Sequence, residues 1–334
     1  MSEASLDIYL LRAIAIFGVG LIAMFVALKL SPAFGLLDHP NSRSAHATAM
    51  PRGGGVGIFM GFLFALWLFG FPFSLYIFFS VALVFVIGVL DDRHDIRPKV
   101  KLIGLLLAST LLYGHGFGFH TLGEYFGISF ELGFFAPLFF IFAIAGFSNA
   151  LNLIDGLDGL AASVSIVILA SLAYVGYKYN DFFLFYGALS LMLPLGAFLV
   201  LNWYPAKMFM GDSGSLVIGF WIAMLSAHAL KYVPAAAILF LAAIPVLDTI
   251  MVSLKRVRLG VSPFRADKRH IHHILLRLYR GNVTAVVKVL IVMQLFFCLL
   301  GLGFKARDEL VIVGLFLMSV FIFYKLLYPK SRGR

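Results

Sequence analysis

The chain has 334 residues, 62% of them hydrophobic and only 13% charged. A soluble domain carries about 25% charged residues, so this composition excludes a soluble globular protein and points to one embedded in a bilayer. The net charge of +10 would suggest nucleic acid on a soluble protein; here the location of the charge decides, because Lys and Arg mark cytoplasmic loops, and no nucleic-acid partner is expected.

Apolar runs recur along the whole length. They predict an all-α, polytopic chain forming one transmembrane domain over 1–334, with spans at about 6–29, 54–70, 73–90, 100–113, 133–152, 160–177, 182–201, 213–230, 234–254, 284–303 and 309–327, eleven in all. Such helices cross a hydrocarbon layer roughly 30 Å thick and satisfy their own backbone polar groups. The 100–113 span is short and is expected to extend toward Gly118. The first run follows the acidic "MSEASLD" and no small-residue cleavage pattern, so it reads as a retained helix rather than a signal peptide. The single Cys298 excludes an internal disulfide. No low-complexity segment or clear repeat stands out.

Alternate loops, starting with 30–53, hold Arg43, Arg52, Arg93, Arg97, Lys99, Lys101 and Lys207, then a cluster from Lys255 to Arg280, then Lys330, Arg332 and Arg334. Between helices the other side holds only Lys178, Lys231, Lys305 and Arg307. This asymmetry predicts an outside N-terminus and a cytoplasmic C-terminus. All the unusual polar stretches then share the cytoplasmic face: "DHPNSRSAHATAMPRGGG", "DDRHDIRPK", "NALNLIDGLDG", "PAKMFMGDSGS" and "SPFRADKRHIHHILLR". Five loops from distant parts of the chain converge on one membrane surface, which predicts a cleft there.

In "GVLDDRHDIRPK", Asp91, Asp92 and Asp95 directly follow an apolar span. Adjacent carboxylates repel, so keeping them suggests a cation or a proton-transfer role; the alternative for Asp95 is a cap on the next helix. In "GFSNALNLIDGLDGLA", Asn149 and Asn152 stand at i and i+3 and can share a helix face. Asp155-Gly156 and Asp158-Gly159 are turn signals, so the helix should end near Ile154 with both carboxylates emerging at its mouth. In "FMGDSGSLVIGF" the likeness to a hydrolase elbow fails, because Ser215 stands where the second Gly is needed. Asp212 reads better as a metal carboxylate, beside Gly211 and Ser213 at a helix N-terminus that favours phosphate. Set against this is a plain N-cap formed by Ser213 or Ser215.

"FRADKRHIHHILLR" sets His270, His272 and His273 among Arg265, Lys268, Arg269 and Arg277. The cations disfavour zinc and suit a diphosphate. Glycines 53, 54, 55 and 57 in "PRGGGVG" allow either backbone approach to phosphate or close helix packing. Asp248 lies seven residues before Lys255, roughly 10 Å below its helix end; it is assigned support rather than chemistry.

Together "DDRHD", "NALNLIDGLDGLA", "MGDSGSL" and "HIHH", in this order, resemble the polyprenyl-phosphate N-acetylhexosamine-1-phosphate transferases. "SPFRADKRHIHHILL" looks more like the bacterial N-acetylglucosamine branch than the muramoyl-pentapeptide branch. The resemblance implies an eleven-helix protein of the bacterial inner membrane, dependent on Mg²⁺, with Mn²⁺ as a possible substitute. Its substrates would be undecaprenyl phosphate and a UDP-N-acetylhexosamine, and its product would initiate a cell-envelope glycan. It leaves the oligomeric state open, a homodimer included. It also implies roles. Asp212 with Asn152 would hold the metal on the donor diphosphate. Asp91 would accept a proton from the lipid phosphate or orient it, with Asp92 assisting. Asp155 and Asp158 would position nucleoside or metal, and His270, His272, His273 and Arg269 would neutralise the diphosphate. Asn149, Arg265, Gly211 and Ser213 complete the substrate-binding set. Two other readings compete. An intramembrane prenyltransferase would use Asp91-Asp92-x-x-Asp95 but gives the histidine segment no role. A transporter would place its polar groups near the midplane rather than at one face.

Overall fold

The computed structural model describes residues 3–38, 49–126, 128–260, 270–304 and 309–328. Its helices, in chain order, are α1 (Glu3–Leu30), α2 (Gly54–Leu68), α3 (Leu75–His94), α4 (Pro98–Gly114), α5 (Ala136–Ile154), α6 (Leu160–Lys178), α7 (Phe182–Asn202), α8 (Gly211–Ala229), α9 (Ala235–Leu241), α10 (Ala243–Arg258), α11 (Ile271–Leu278), α12 (Val283–Gly303) and α13 (Glu309–Leu327). Two small antiparallel ribbons join them: β1 (Leu37–Asp38) with β2 (Met50–Pro51), and β3 (Thr121–Tyr125) with β4 (Ile128–Glu131).

The chain is a multi-pass, helical membrane protein. Among the described residues seven helices are each long and apolar enough to cross a bilayer, or eight if the bent pair α9–α10 counts as one span. The sequence pattern counts more, and the differences are physical. α2 has 15 residues, α4 carries Lys99 and Lys101 in its first turn, and α8 begins on the polar Gly-Asp-Ser-Gly-Ser. The predicted 234–254 span is broken: α9 and α10 meet at 92°. The expected extension of α4 toward Gly118 does not occur, since the helix ends at Gly114 and the β3–β4 hairpin follows.

α8 is the axis of the bundle. It is buried on nearly every side, packing on α3 and α5 above all and also on α2, α6 and α7. A helix that is apolar all round belongs in a core. At its centre Trp221 donates its ring N–H to the Gly187 carbonyl at 2.8 Å and meets the edge of Phe62 at 4.7 Å. At its start backbone touches backbone: a Cβ on Gly55 of α2 would overlap the Gly214 nitrogen. The Gly54 and Gly55 amides donate to the carbonyls of Phe209 and Met210 at 3.1 and 2.8 Å. Of the two roles open for the "PRGGGVG" glycines, close packing is the one the fold uses.

Candidate active site

The polar motifs meet at the end of the bundle where α3, α5 and α7 finish and α4, α6 and α8 begin. The two adjacent carboxylates at the end of α3 point to different neighbours, because consecutive helical residues lie about 100° apart. Asp91 turns toward α4. Its Oδ2 is 3.1 Å from Lys101 Nζ, and the same nitrogen reaches Asp212 Oδ2 at 2.7 Å. One ammonium thus bridges two carboxylates that stand 121 positions apart in the chain.

Asp92 turns toward α8. Its two oxygens accept the Asp212 and Ser213 backbone N–H groups at 2.7 and 3.0 Å. Met210, the residue before α8, offers no side-chain cap, so Asp92 supplies the cap from another helix and satisfies two first-turn donors. Gly211 has φ +71°, and a Cβ there would lie 2.5 Å from both Asp92 oxygens. Gly211 and Ser213 therefore serve this cap, although Gly211 also lines the cleft. Asp92 is buried, and both of its carboxylate oxygens are committed to backbone donors of α8. Asp95 is the α3 C-cap, with φ 49° and an exposed side chain. Asp91, Asp92 and Asp95 therefore do not form one diphosphate-binding cluster.

Asn152 and Ser148 fasten α5 to α8. Asn152 Nδ2 donates to Ser215 Oγ at 2.8 Å, and Ser148 Oγ donates to the Leu216 carbonyl at 2.7 Å. α5 ends at Ile154, where the turn signals place it, with Asp155 as C-cap. Asp158 Oδ2 accepts the Ala206 N–H at 2.9 Å; Asn202 accepts from the Gly159 N–H and donates to the Met208 carbonyl, each at 2.9 Å. The Asp-Gly turns are thereby tied to the segment leading into α8. Asn149, one turn earlier than Asn152, is exposed and off the cleft lining, since three residues rotate it about 60° from its neighbour.

The histidine segment is anchored from α10. Asp248 is fully buried, and its carboxylate holds His270 Nδ1 and the Ile271 N–H, both at 2.6 Å. This matches the supporting role given to Asp248. It sets the start of α11, a short helix the sequence reading did not anticipate. His272 is buried, with Nε2 against Gly156. Burial, with His273 and His270 alongside, holds its ring well below the usual histidine range, so it stands neutral. Of the three rings only His273 lines the cleft. Arg265 and Arg269 lie outside the described residues.

The cleft has a volume of about 370 Å³ and is walled by Asn152, Asp155, Asp158, Asp212, Arg52 and His273, among others. Arg52 enters from the β1–β2 ribbon, paired with Asp38 at 2.9 Å. Burial pushes the Asp155 carboxyl up to about 7; Asp212 and Asp92 add to the rise, and Arg52 opposes it. The sequence reading missed Lys101 and Arg52, counting them only as loop charge. The signal for Lys101 was its place in the first turn of the helix that follows the acidic "DDRHD".

The donor set suits a hard divalent cation. Asp212 and Asn152 both line the cleft and carry side-chain oxygen, and the buried Asp91 Oδ1 has no hydrogen-bond partner. Among the described residues no three acidic, histidine or cysteine side chains converge on one point.

Fold and site define an integral membrane protein with a charged, carboxylate-rich cleft at one end of its helices. A family model described as glycosyl transferase family 4 matches residues 74–230, which include the α3, α5 and α8 motifs. The chain is 32% identical to the undecaprenyl-phosphate alpha-N-acetylglucosaminyl 1-phosphate transferase of Yersinia pestis, over 93% of this chain and 89% of that one. It is 30% identical to a probable undecaprenyl-phosphate N-acetylglucosaminyl 1-phosphate transferase of Bacillus subtilis, over 98% and 94% of the two chains. It is also 30% identical to the Escherichia coli K12 undecaprenyl-phosphate alpha-N-acetylglucosaminyl 1-phosphate transferase, over 93% and 88%. The chain belongs to glycosyl transferase family 4 and is a transferase of the bacterial membrane.

Proposed function

We propose that the protein transfers N-acetylglucosamine 1-phosphate from UDP-N-acetylglucosamine to undecaprenyl phosphate and releases UMP. The observation that carries this reading is the double use of α5. Ala150 lines an apolar groove of about 510 Å³, with Phe139, Phe142, Phe147, Ile238 and Ile250. Two residues on, Asn152 lines the polar cleft. An acceptor with a long apolar tail and a phosphate head needs these two environments side by side. Relatives named undecaprenyl-phosphate alpha-N-acetylglucosaminyl 1-phosphate transferases support the acceptor and the transferred group.

In this reading a phosphate oxygen of the acceptor attacks the phosphorus attached to the sugar. A new P–O bond forms, the bond from that phosphorus to the bridging oxygen breaks, and UMP leaves with the electron pair. The acceptor phosphate is already a competent nucleophile, so direct attack needs no covalent enzyme intermediate. Lys101, Arg52 and His273 screen the anionic reactants as fixed groups that need no reorganisation during reaction. Asp91 orients the incoming phosphate through Lys101, and Asp155 and Asp158 hold the nucleotide side of the cleft. Asp212 with Asn152 would hold Mg²⁺, which when bound would neutralise charge on the donor diphosphate. The cleft would face the cytoplasm, where UDP-sugars are found, with the N-terminus outside and eleven spans in the inner membrane.

The test uses purified protein, undecaprenyl phosphate, Mg²⁺ and UDP-N-acetylglucosamine labelled in the sugar. Label should pass into the organic phase with one UMP per product, and added UMP should drive it back. Release of UDP would mean transfer of the sugar alone and would overturn the mechanism.

A further inference from the structure

The break between α9 and α10 lies in the apolar part of the bundle, where every backbone N–H and C=O needs a partner. In a continuous helix the Leu241 carbonyl would accept from residue 245, and the Ile244 N–H would donate to residue 240. Residue 245 is Pro, which has no N–H. The 92° bend at Ala242 separates the second pair as well. The Leu241 carbonyl and the Ile244 N–H find the same side chain. Gln294 of α12, fully buried, donates Nε2–H to the Leu241 carbonyl at 2.8 Å and accepts the Ile244 N–H on Oε1 at 2.9 Å. Cys298, one turn further along α12, lies 3.1 Å from Gln294 Nε2 and 3.4 Å from the Leu241 carbonyl. A carboxamide has one acceptor and one donor end, so a single Gln satisfies one N–H and one C=O that the break leaves without their helical partners.

We infer that Gln294 is a positioning residue that locks the α9–α10 break and so shapes the groove that takes the acceptor's apolar tail. Both helices face that groove: Ala235, Ile238 and Leu239 on one side of the bend, Ala242, Val246 and Ile250 on the other. α12 itself contributes no residue to the groove lining, so Gln294 acts through the bend. The far half of α10 has its own anchor in the Asp248–His270 contact. Loss of the clamp should therefore disturb the tail groove and spare the cleft. The inference rests on the proposed use of that groove.

Three variants test it. Gln294→Met keeps the length and removes both hydrogen bonds. Gln294→Glu, held neutral by its apolar surroundings, keeps a donor and an acceptor and should rescue. Asp248→Asn disturbs the histidine segment instead. With undecaprenyl phosphate, Gln294→Met should raise the acceptor KM about tenfold with kcat little changed. With a short-chain polyprenyl phosphate its KM should match wild type, whereas Asp248→Asn should lose activity equally with both acceptors. Hydrogen exchange read on residues 235–250 should rise in Gln294→Met and return to wild type in Gln294→Glu. Equal loss with both acceptors, or unchanged exchange at the bend, would overturn the inference. If Gln294→Met does not fold, adding Pro245→Ala, which returns an N–H to Leu241, should restore folding; no recovery would also overturn it. Wild-type protein that makes no UMP with either acceptor would sink the proposed function, while exchange at the bend would still test the clamp.

Discussion

Asp92 caps a helix to which it does not belong: its carboxylate receives the backbone N–H of Asp212, 120 residues away, at 2.7 Å. The cap holds the start of α8 in place, so the residue beside it in space, Asp212, faces the cleft in a fixed orientation. The two carboxylates therefore have separable effects. Asp92→Asn keeps one acceptor but turns an amide N–H2 against a backbone N–H. It should cost about 1–3 kcal/mol of stability, read as a lower midpoint of thermal unfolding in detergent, with activity lost in proportion to folded protein.

Asp212→Asn should behave in the opposite way. The shape is kept, Lys101 retains Asp91 as partner, and folded yield should stay near wild type. Turnover should fall about a hundredfold or more, and raising Mg²⁺ should recover part of it. Normal activity at ordinary Mg²⁺ would reduce Asp212 to a helix-start residue.

The raised Asp155 carboxyl gives a signed pH effect. Its folded value of about 7 lies above the unfolded 3.8, so the protein takes up a proton on folding between those values. Stability from this group is complete below about pH 4 and declines as pH rises toward 7. In metal-free buffer, Asp155→Asn should match wild type at pH 4 and be the more stable protein at pH 8. If the ionised form is the active one, kcat/KM should rise through pH 7 in wild type, and that limb should be absent in Asp155→Asn.

Sidedness can be read with single cysteines, since Cys298 is buried and can remain. Arg97 and Ser129 are both exposed and lie at opposite ends of α4 and its hairpin. An impermeant thiol reagent applied to intact cells should label Ser129→Cys and leave Arg97→Cys unmodified. The reverse pattern would place the cleft outside and remove the access to a cytosolic donor.

Much of the fold was legible because a bilayer imposes long apolar helices, and each predicted span overlaps at least one helix. The break at Ala242 was not. Pro245 is visible in the sequence, but the side chain that makes the bend tolerable lies 49 residues further on in α12. The site was legible as a convergence of polar loops and illegible as a division of labour. Asp91 and Asp92 read as one acidic pair, yet one meets Lys101 and the other a backbone. Asn149 and Asn152 read as one helix face, yet only Asn152 lines the cleft. In each case the deciding partner is non-local, and spacing along a helix cannot reveal it.

The overlap that Gly55 would make with Gly214 if it carried a side chain has a further consequence. Where two main chains touch, no rotamer can give way, so the cleft has a stiff floor under Gly211 and Asp212. Under the proposed reaction, adjustment to different sugars would come from the rim, from Arg52, Leu157, His273 and Leu276, which are all half-buried side chains on short or connecting segments. Substitutions confined to the rim should then alter donor choice under the proposed reaction while leaving the floor beneath the phosphates as it is.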